Sequence, residues 1–112
     1  MANANHINLN PYPLILYGSP SGVKHSLALK VAKMLKKTLA PSTYKEFKDG
    51  TFLVHHNDSV RDRDVYLILQ PRFGNKEILS YDLDECESFV YALRQGEPTR
   101  ITVVMPCLPY AR

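Results

Sequence analysis

Leu14-Ile15-Leu16-Tyr17-Gly18-Ser19-Pro20-Ser21-Gly22 decides the fold. Four consecutive apolar residues are too few for a helix. They do not alternate as a half-exposed strand would, so the run reads as a strand covered on both faces. A glycine, serine and proline turn closes it. Beyond the turn, Leu27, Val31 and Leu35 recur at every fourth position, and Ala28, Ala32 and Leu39 widen the stripe. That spacing predicts a helix over residues 23–39, with Pro41 as its stop. Lys30, Lys33, Lys36 and Lys37 fall largely opposite the stripe and read as its solvated face.

Working outward, Thr43-Tyr44-Lys45-Glu46-Phe47 and Thr51-Phe52-Leu53-Val54-His55 are two β-prone runs around Lys48-Asp49-Gly50. Asp-Gly between such runs is a hairpin signal. A polar loop over residues 57–64 leads to Val65-Tyr66-Leu67-Ile68-Leu69, a second buried strand. Residues 70–76, with Pro71 and Gly74, read as loop. Leu83, Cys86, Phe89, Val90 and Leu93 make one apolar face, which predicts a second helix over residues 83–94. Asp82, Asp84 and Glu85 suit its start and Arg94 its end. Gly96 and Pro98 terminate it. Arg100-Ile101-Thr102-Val103-Val104 reads as a last buried strand. The order β, α, hairpin, β, α, β implies an α/β fold: a mostly parallel sheet with helices on both faces, and a β-hairpin as an excursion from it.

The chain of 112 residues is one domain's worth, and 45% apolar residues are enough for a core. A net charge of +3 permits an anionic ligand. With no basic stripe interleaved with aromatics, it gives no sign of nucleic-acid binding. Cys86 and Cys107 are far apart and lack metal-ligand spacing. They read as free, mostly buried thiols of a cytosolic protein. No apolar run is long enough to span a membrane. The polar start, with Pro11 and Pro13 flanking the first strand, reads as a disordered or extended tail over residues 1–13, not as a secretory signal.

Several places could carry chemistry. The Gly18–Gly22 turn precedes a helix, where backbone N–H groups can cradle phosphate. It lacks the pattern of a P-loop or a dinucleotide turn, and the plain alternative is a turn with Ser21 near the N-cap. His55 and His56 are adjacent on a strand, so their rings should diverge and hold no metal. His6 and His25 have no partners in sequence. Ser59 and Arg61 could converge on one phosphate, or Arg61 could simply pair with Asp58 or Asp62. Phe47 and Asp49 could stack on an adenine and accept its amino hydrogens, or Phe47 could pack into a core behind an Asp-Gly turn. Arg112 follows the last strand, where open α/β sheets place ligands, and its guanidinium is a fork of donors for phosphate.

Taken together, four stretches resemble one family, the ribose-phosphate pyrophosphokinases (PRPP synthases), in their N-terminal domain. Leu16-Tyr17-Gly18-Ser19 with the helix containing Leu27-Ala28-Leu29-Lys30-Val31-Ala32 resembles the family's opening strand and helix. Phe47-Lys48-Asp49-Gly50 matches its "RFSDGE" region, and Ser59-Val60-Arg61-Asp62-Arg63-Asp64-Val65-Tyr66 is similar to "SVRGxDVY/F". Ile101 to Arg112 is close to "ITAVIPYFPYARQD", whose terminal Pro-Tyr-Ala-Arg block is the most specific piece. The resemblance covers about residues 14–112, in the right order.

This resemblance implies a phosphoribosyltransferase-like N-terminal domain with a hairpin flag. It implies a parent enzyme that moves the β,γ-diphosphoryl group of Mg-ATP to the C1 hydroxyl of ribose 5-phosphate for nucleotide biosynthesis. Phe47, Asp49 and Thr51 would lie on the adenine side of the ATP site, supplied to a neighbouring subunit of a cytoplasmic homo-oligomer. Arg112 would contact ATP phosphates and serve catalysis, and Ser59 and Arg61 would belong to a regulatory phosphate/ADP site. ATP and ribose 5-phosphate would be the partners, with no nucleic acid and no membrane. The family's catalytic loop, metal ligands and ribose-phosphate loop follow the position of Arg112. No metal ligand is therefore expected within this chain, and the 112 residues alone should be inactive.

Two departures stand out. Thr51 replaces a glutamate that helps hold adenine. Ser80-Tyr81-Asp82-Leu83-Asp84-Glu85-Cys86 keeps only Leu83 and Glu85 of Asn-Asp-Asn-Leu-Met-Glu-Leu. They leave open a non-catalytic, regulatory or associated subunit of the same family. A stand-alone α/β interaction module is the third alternative, opposed by the in-order match of four blocks.

Overall fold

The computed structural model describes residues 13–107 and 109. Its elements are β1 (Leu14–Tyr17), α1 (Ser26–Met34), β2 (Ser42–Glu46), β3 (Phe52–His56), β4 (Asp64–Ile68), α2 (Lys76–Gln95) and β5 (Arg100–Val104). The element order matches the expectation. The tail expected over residues 1–13 lies, up to Tyr12, outside the described residues.

β1, β4 and β5 form a parallel sheet in that order, and β2 pairs with β3 as a separate antiparallel hairpin. The register aligns Ile15 with Val65 and Val65 with Ile101. Because strand side chains alternate, that row and the row of Tyr17 and Leu67 share one face. They pack there with Phe89 and Leu93 of α2. Leu16 and Ile68 point the other way and pack with Ala28 and Ala32 of α1. The sheet therefore carries a helix on each face. Tyr17 and Phe89 meet edge to face, ring centroids 5.2 Å apart.

The chain changes face between two adjacent residues. Leu39 packs with the α1 cluster and Ala40 with the α2 cluster. At that point the Ala40 N–H donates to the Leu16 carbonyl at 2.7 Å. The linker thus rounds the outer edge of β1 and delivers the hairpin to α2, where Val54 is buried beside Phe89 and Leu93.

Two boundaries and one burial correct the sequence expectation. α1 ends at Met34, not near Leu39. Lys36 takes a left-handed φ of 55°, with Lys36 N–H on the Lys33 carbonyl and Lys37 N–H on the Ala32 carbonyl. That pair of bonds is the common helix-terminating motif, here without its usual glycine. Leu35 is half exposed, and Leu39 reaches the core from an irregular segment, so two residues of the stripe are not helical core. α2 starts at Lys76, seven residues before the expected position. Asn75 caps it by accepting the N–H groups of Glu77 at 2.9 Å and Ile78 at 3.1 Å. β5 is an edge strand, with Val103 37% and Val104 38% exposed, whereas β4 between its neighbours is the buried one.

Candidate functional site

Loops at the carboxyl ends of parallel strands are the usual ligand side of an open α/β sheet. Here two of those loops, and the hairpin, are tied to the N-terminal half of α2. Glu85 is 1% exposed. Its Oε2 accepts the Ser19 hydroxyl at 2.7 Å and the Ser21 N–H at 2.8 Å, and its Oε1 accepts the Ser21 hydroxyl at 2.7 Å. The Gly18–Gly22 turn is therefore closed around an internal carboxylate. Its Ser21 N–H is already bonded, and the negative charge opposes a phosphate at that point. Ser21 is not the N-cap either: His25 stands at that position, with no side-chain cap bond. Gly18 lets His25 lie close to the turn: a Cβ there would stand 2.1 Å from Nε2 of His25, so a side chain would displace that ring.

One turn earlier on α2, Asp82 is buried and gathers the loop after β4. Its Oδ2 accepts the Arg72 N–H at 2.8 Å and Nε at 3.0 Å, and its Oδ1 accepts the guanidinium at 2.8 Å. The bonded carboxylate holds the Arg72 pKa above its ordinary value.

Tyr81 ties down the hairpin. Its ring lies 5.3 Å from that of Phe52, which stacks on Tyr44 at 5.9 Å. The Tyr44 and Tyr81 hydroxyls meet each other and Oε1 of Glu46, which lies 3.2 Å from each, and their two protons serve two of these three contacts. Burial, then the charges of Glu85 and Asp82, raises the Tyr81 pKa.

At the hairpin tip, Phe47 is exposed, so its ring is not packed into a core. Lys45 Nζ lies 5.4 Å from the ring centroid, a cation–π contact that occupies one side. Asp49 Oδ1 accepts the Thr51 N–H at 3.0 Å and the Thr51 hydroxyl at 2.6 Å. Those bonds hold the Asp49 carboxyl below its ordinary 3.8. Gly50, at a φ of 91°, lets the tip turn. The tip and the solvent side of α2 flank an open groove of about 790 Å³, lined in part by Thr51, Phe52, Asp84, Tyr91 and Arg94.

Phe47, Asp49 and Thr51 therefore come together. Ser59 and Arg61 stand elsewhere, before the amino end of β4. Arg61 pairs with neither Asp58 nor Asp62 but with Glu97 at 2.6 Å, both side chains 67% exposed. Nδ1 of His55 and of His56 each bond a backbone carbonyl, at 3.1 Å and 2.8 Å. Cys86 is half-buried, and burial pushes its thiol up to about 11. Cys107 is exposed, which corrects the expectation of a mostly buried pair. Arg112 lies outside the described residues. Among those described, no group of three or more His, Cys, Asp or Glu could hold a metal ion, and no helix is long and apolar enough to cross a membrane.

The helix dipole accounts for acidic residues at the start of α2 but not for the ties of Asp82 and Glu85, and no local pattern marks Tyr81 or Arg72. One signal was present. Asp82, Glu85, Phe89 and Leu93 follow a 3-4-4 spacing, which puts both carboxylates on the stripe that faces the core.

A family model described as the N-terminal domain of ribose phosphate pyrophosphokinase matches residues 19–112. The ribose-phosphate pyrophosphokinase of Corynebacterium glutamicum is 35% identical over 108 residues, which is 96% of this chain and 31% of that protein. Ribose-phosphate pyrophosphokinase 1 of Candida albicans is 35% identical over 92 residues, 82% of this chain and 28% of that protein. The crystal structure of phosphoribosylpyrophosphate synthetase from Mycobacterium smegmatis superposes with a TM-score of 0.69 at 28% identity, covering 89% of this chain and 32% of that one. The chain spans about a third of the length of the relatives it matches.

Proposed function

The chain belongs to the ribose-phosphate pyrophosphokinase family, matching its N-terminal domain, and from that premise we propose that it forms the ATP-side portion of a ribose-phosphate diphosphokinase. In this reaction the C1 hydroxyl oxygen of ribose 5-phosphate attacks the β-phosphorus of ATP. The bond from that phosphorus to the oxygen bridging it to the α-phosphorus breaks, and the hydroxyl proton is lost. AMP leaves and 5-phosphoribosyl 1-diphosphate forms. Such transfers depend on positioning and on neutralising charge more than on covalent chemistry.

The observation that carries this reading is the hairpin tip. Phe47 offers an exposed ring with the Lys45 ammonium over it, an aromatic surface suited to stack on a base. Asp49 is ionised at neutral pH and suited to accept from an exocyclic amino group. Thr51 donates to Asp49, which fixes the carboxylate; its hydroxyl oxygen can still accept from adenine but is not equivalent to the glutamate of the family. Arg112 would take the ATP phosphates. Ser59 and Arg61 would form a regulatory phosphate or ADP site at a subunit boundary of a homo-oligomer, where an incoming phosphate competes with the exposed Glu97 carboxylate for Arg61. The cytoplasm, where nucleotides are made, is the compartment this reading requires.

Magnesium would arrive with ATP as part of the substrate. The described residues do not fit a site for it, because Asp82 and Glu85, the buried carboxylates nearest the strand-end loops, are already bonded to Arg72, Ser19 and Ser21.

Titration with AMP, followed by NMR shifts of the tip amides, tests the adenine side. Phe47→Ala should weaken binding about 5- to 100-fold, the range for losing one base–aromatic stack. A second assay follows 5-phosphoribosyl 1-diphosphate formation by a chimera in which these 112 residues precede the remaining two thirds of a family relative. Activity indifferent to both Phe47→Ala and Arg112→Ala would overturn the reading.

A further inference from the structure

We propose that Tyr44, Glu46 and Tyr81 are positioning residues for base recognition, a clasp that fixes the hairpin tip against α2 and so holds the exposed ring of Phe47 in one place. The inference rests on the adenine reading above and goes further, because it assigns a task to three residues that the reading leaves idle.

A two-stranded hairpin is marginal by itself in water. Among the described residues β2 and β3 pair only with each other, over five residues each. Without a further tie the tip would swing, and a base would have to order it on binding, which weakens affinity. The clasp supplies the tie at the decisive point. Glu46 is the last residue of β2, adjacent to Phe47 and opposite Phe52 in register. Its Oε1 lies 3.2 Å from the hydroxyls of Tyr44 on its own strand and Tyr81 on α2, and the two hydroxyls also meet each other. The Tyr44–Phe52–Tyr81 ring series backs the hydroxyls with an apolar stack.

The anchoring end is stiff. Tyr81 precedes Asp82, which holds Arg72, and lies one turn from Glu85, which holds Ser19 and Ser21. Phe89 and Leu93 of the same helix are fully buried against the sheet. Tyr81 therefore transmits the position of the rigid core to the residue next to Phe47. It need not touch the base itself.

The test separates ring packing from the hydroxyl bonds. Tyr81→Phe, and Tyr44→Phe with Tyr81→Phe, keep the rings and remove only the oxygens. Backbone 15N relaxation should show the order parameters of the Lys48, Gly50 and Thr51 amides falling from about 0.85 to below about 0.6, with β4 amides unchanged. AMP affinity should fall about 3- to 10-fold. Glu46→Ala should reproduce both effects. Tip order unchanged in all three variants would overturn the proposal, and so would lost order with unchanged AMP affinity. Wild-type chain that binds no AMP would sink the adenine reading itself. In that case, loss of tip order in Tyr81→Phe would still establish the clasp as what holds the hairpin.

Discussion

Glu85 accepts the hydroxyl of Ser19 at 2.7 Å, a bond between residues 66 positions apart that joins α2 to the loop leaving β1. Tyr81 and Asp82 make the same kind of tie to the hairpin and to the loop leaving β4. One helix thus gathers the segments that the sheet and the hairpin bring to the candidate site. These carboxylates act on geometry, since every oxygen bond described for them goes to the protein's own loops.

Glu85→Ala should cost about 2–4 kcal/mol of stability, because three donors around a buried position lose their acceptor together. Glu85→Gln keeps one carbonyl acceptor and should cost less. Urea unfolding of both variants checks this. A change below about 0.5 kcal/mol for the alanine variant, the range of an ordinary surface substitution, would mean that the loop is not held by this residue.

Tyr17 presents the opposite case. Its ring is fully buried against Phe89, and its hydroxyl has no hydrogen-bond partner among the described residues. Removing an unpaired buried hydroxyl while keeping the ring relieves a desolvation penalty, so Tyr17→Phe should be neutral or stabilising by up to about 1 kcal/mol. Burial, then the charge of Asp58, lifts the phenol from 10.0 to about 12. A raised folded pKa means that the fold favours the neutral phenol. That contribution is complete below pH 10 and is lost as pH rises from 10 towards 12. Urea midpoints at pH 8 and pH 11 should therefore diverge more in wild type than in Tyr17→Phe.

The sheet was legible and the site's supports were not, for one physical reason. β1 and β5 have the boundaries that local apolar runs imply, because a strand's burial is written in adjacent residues. Helix ends depend on single caps. Asn75 sits in a stretch that Pro71 and Gly74 make read as loop, and Lys36 ends α1 without the glycine that would announce it. The ties of Glu85 and Asp82 span 66 and 10 residues, so no local pattern names their partners. Charge at a helix start explained the acidic residues well enough to hide that two of them are buried. The hairpin tip was found from three adjacent residues and a resemblance, whereas the clasp beneath it needs Tyr81, 37 positions from Tyr44.

Thr51 holds the Asp49 carboxyl below 3.8 through its hydroxyl first and its N–H second. A depressed folded pKa means that the bonded carboxylate stabilises the tip above the unfolded value and ceases to do so as pH falls through the folded one. The window therefore lies below about pH 3.8. Thr51→Ala removes the larger cause, so the Asp49 titration followed by carbonyl NMR should move back up towards 3.8. A titration unmoved by Thr51→Ala would show that the hydroxyl does not set it. Thr51→Ser restores a hydroxyl and should leave the titration low.

β5 carries the last prediction. In a parallel ladder alternate residues turn their backbone groups towards the neighbouring strand. The Leu69 N–H bonds the Val104 carbonyl, so Val104 and Thr102 face β4, and Ile101 and Val103 turn theirs outward. Among the described residues no strand covers that edge. Beside it, short α1 leaves a groove of about 830 Å³ on its face of the sheet, lined in part by Leu16, Val31, Leu35, Tyr66 and Val104. An open edge of β-branched residues next to apolar surface recruits further strands. The 112-residue chain should therefore associate as its concentration rises, seen by light scattering after size exclusion. Val103→Lys places a charge on the edge without touching the buried cluster and should shift the mass towards monomer. A wild-type chain monomeric at every concentration would remove the argument, and association unchanged by Val103→Lys would move the contact from the edge to the groove.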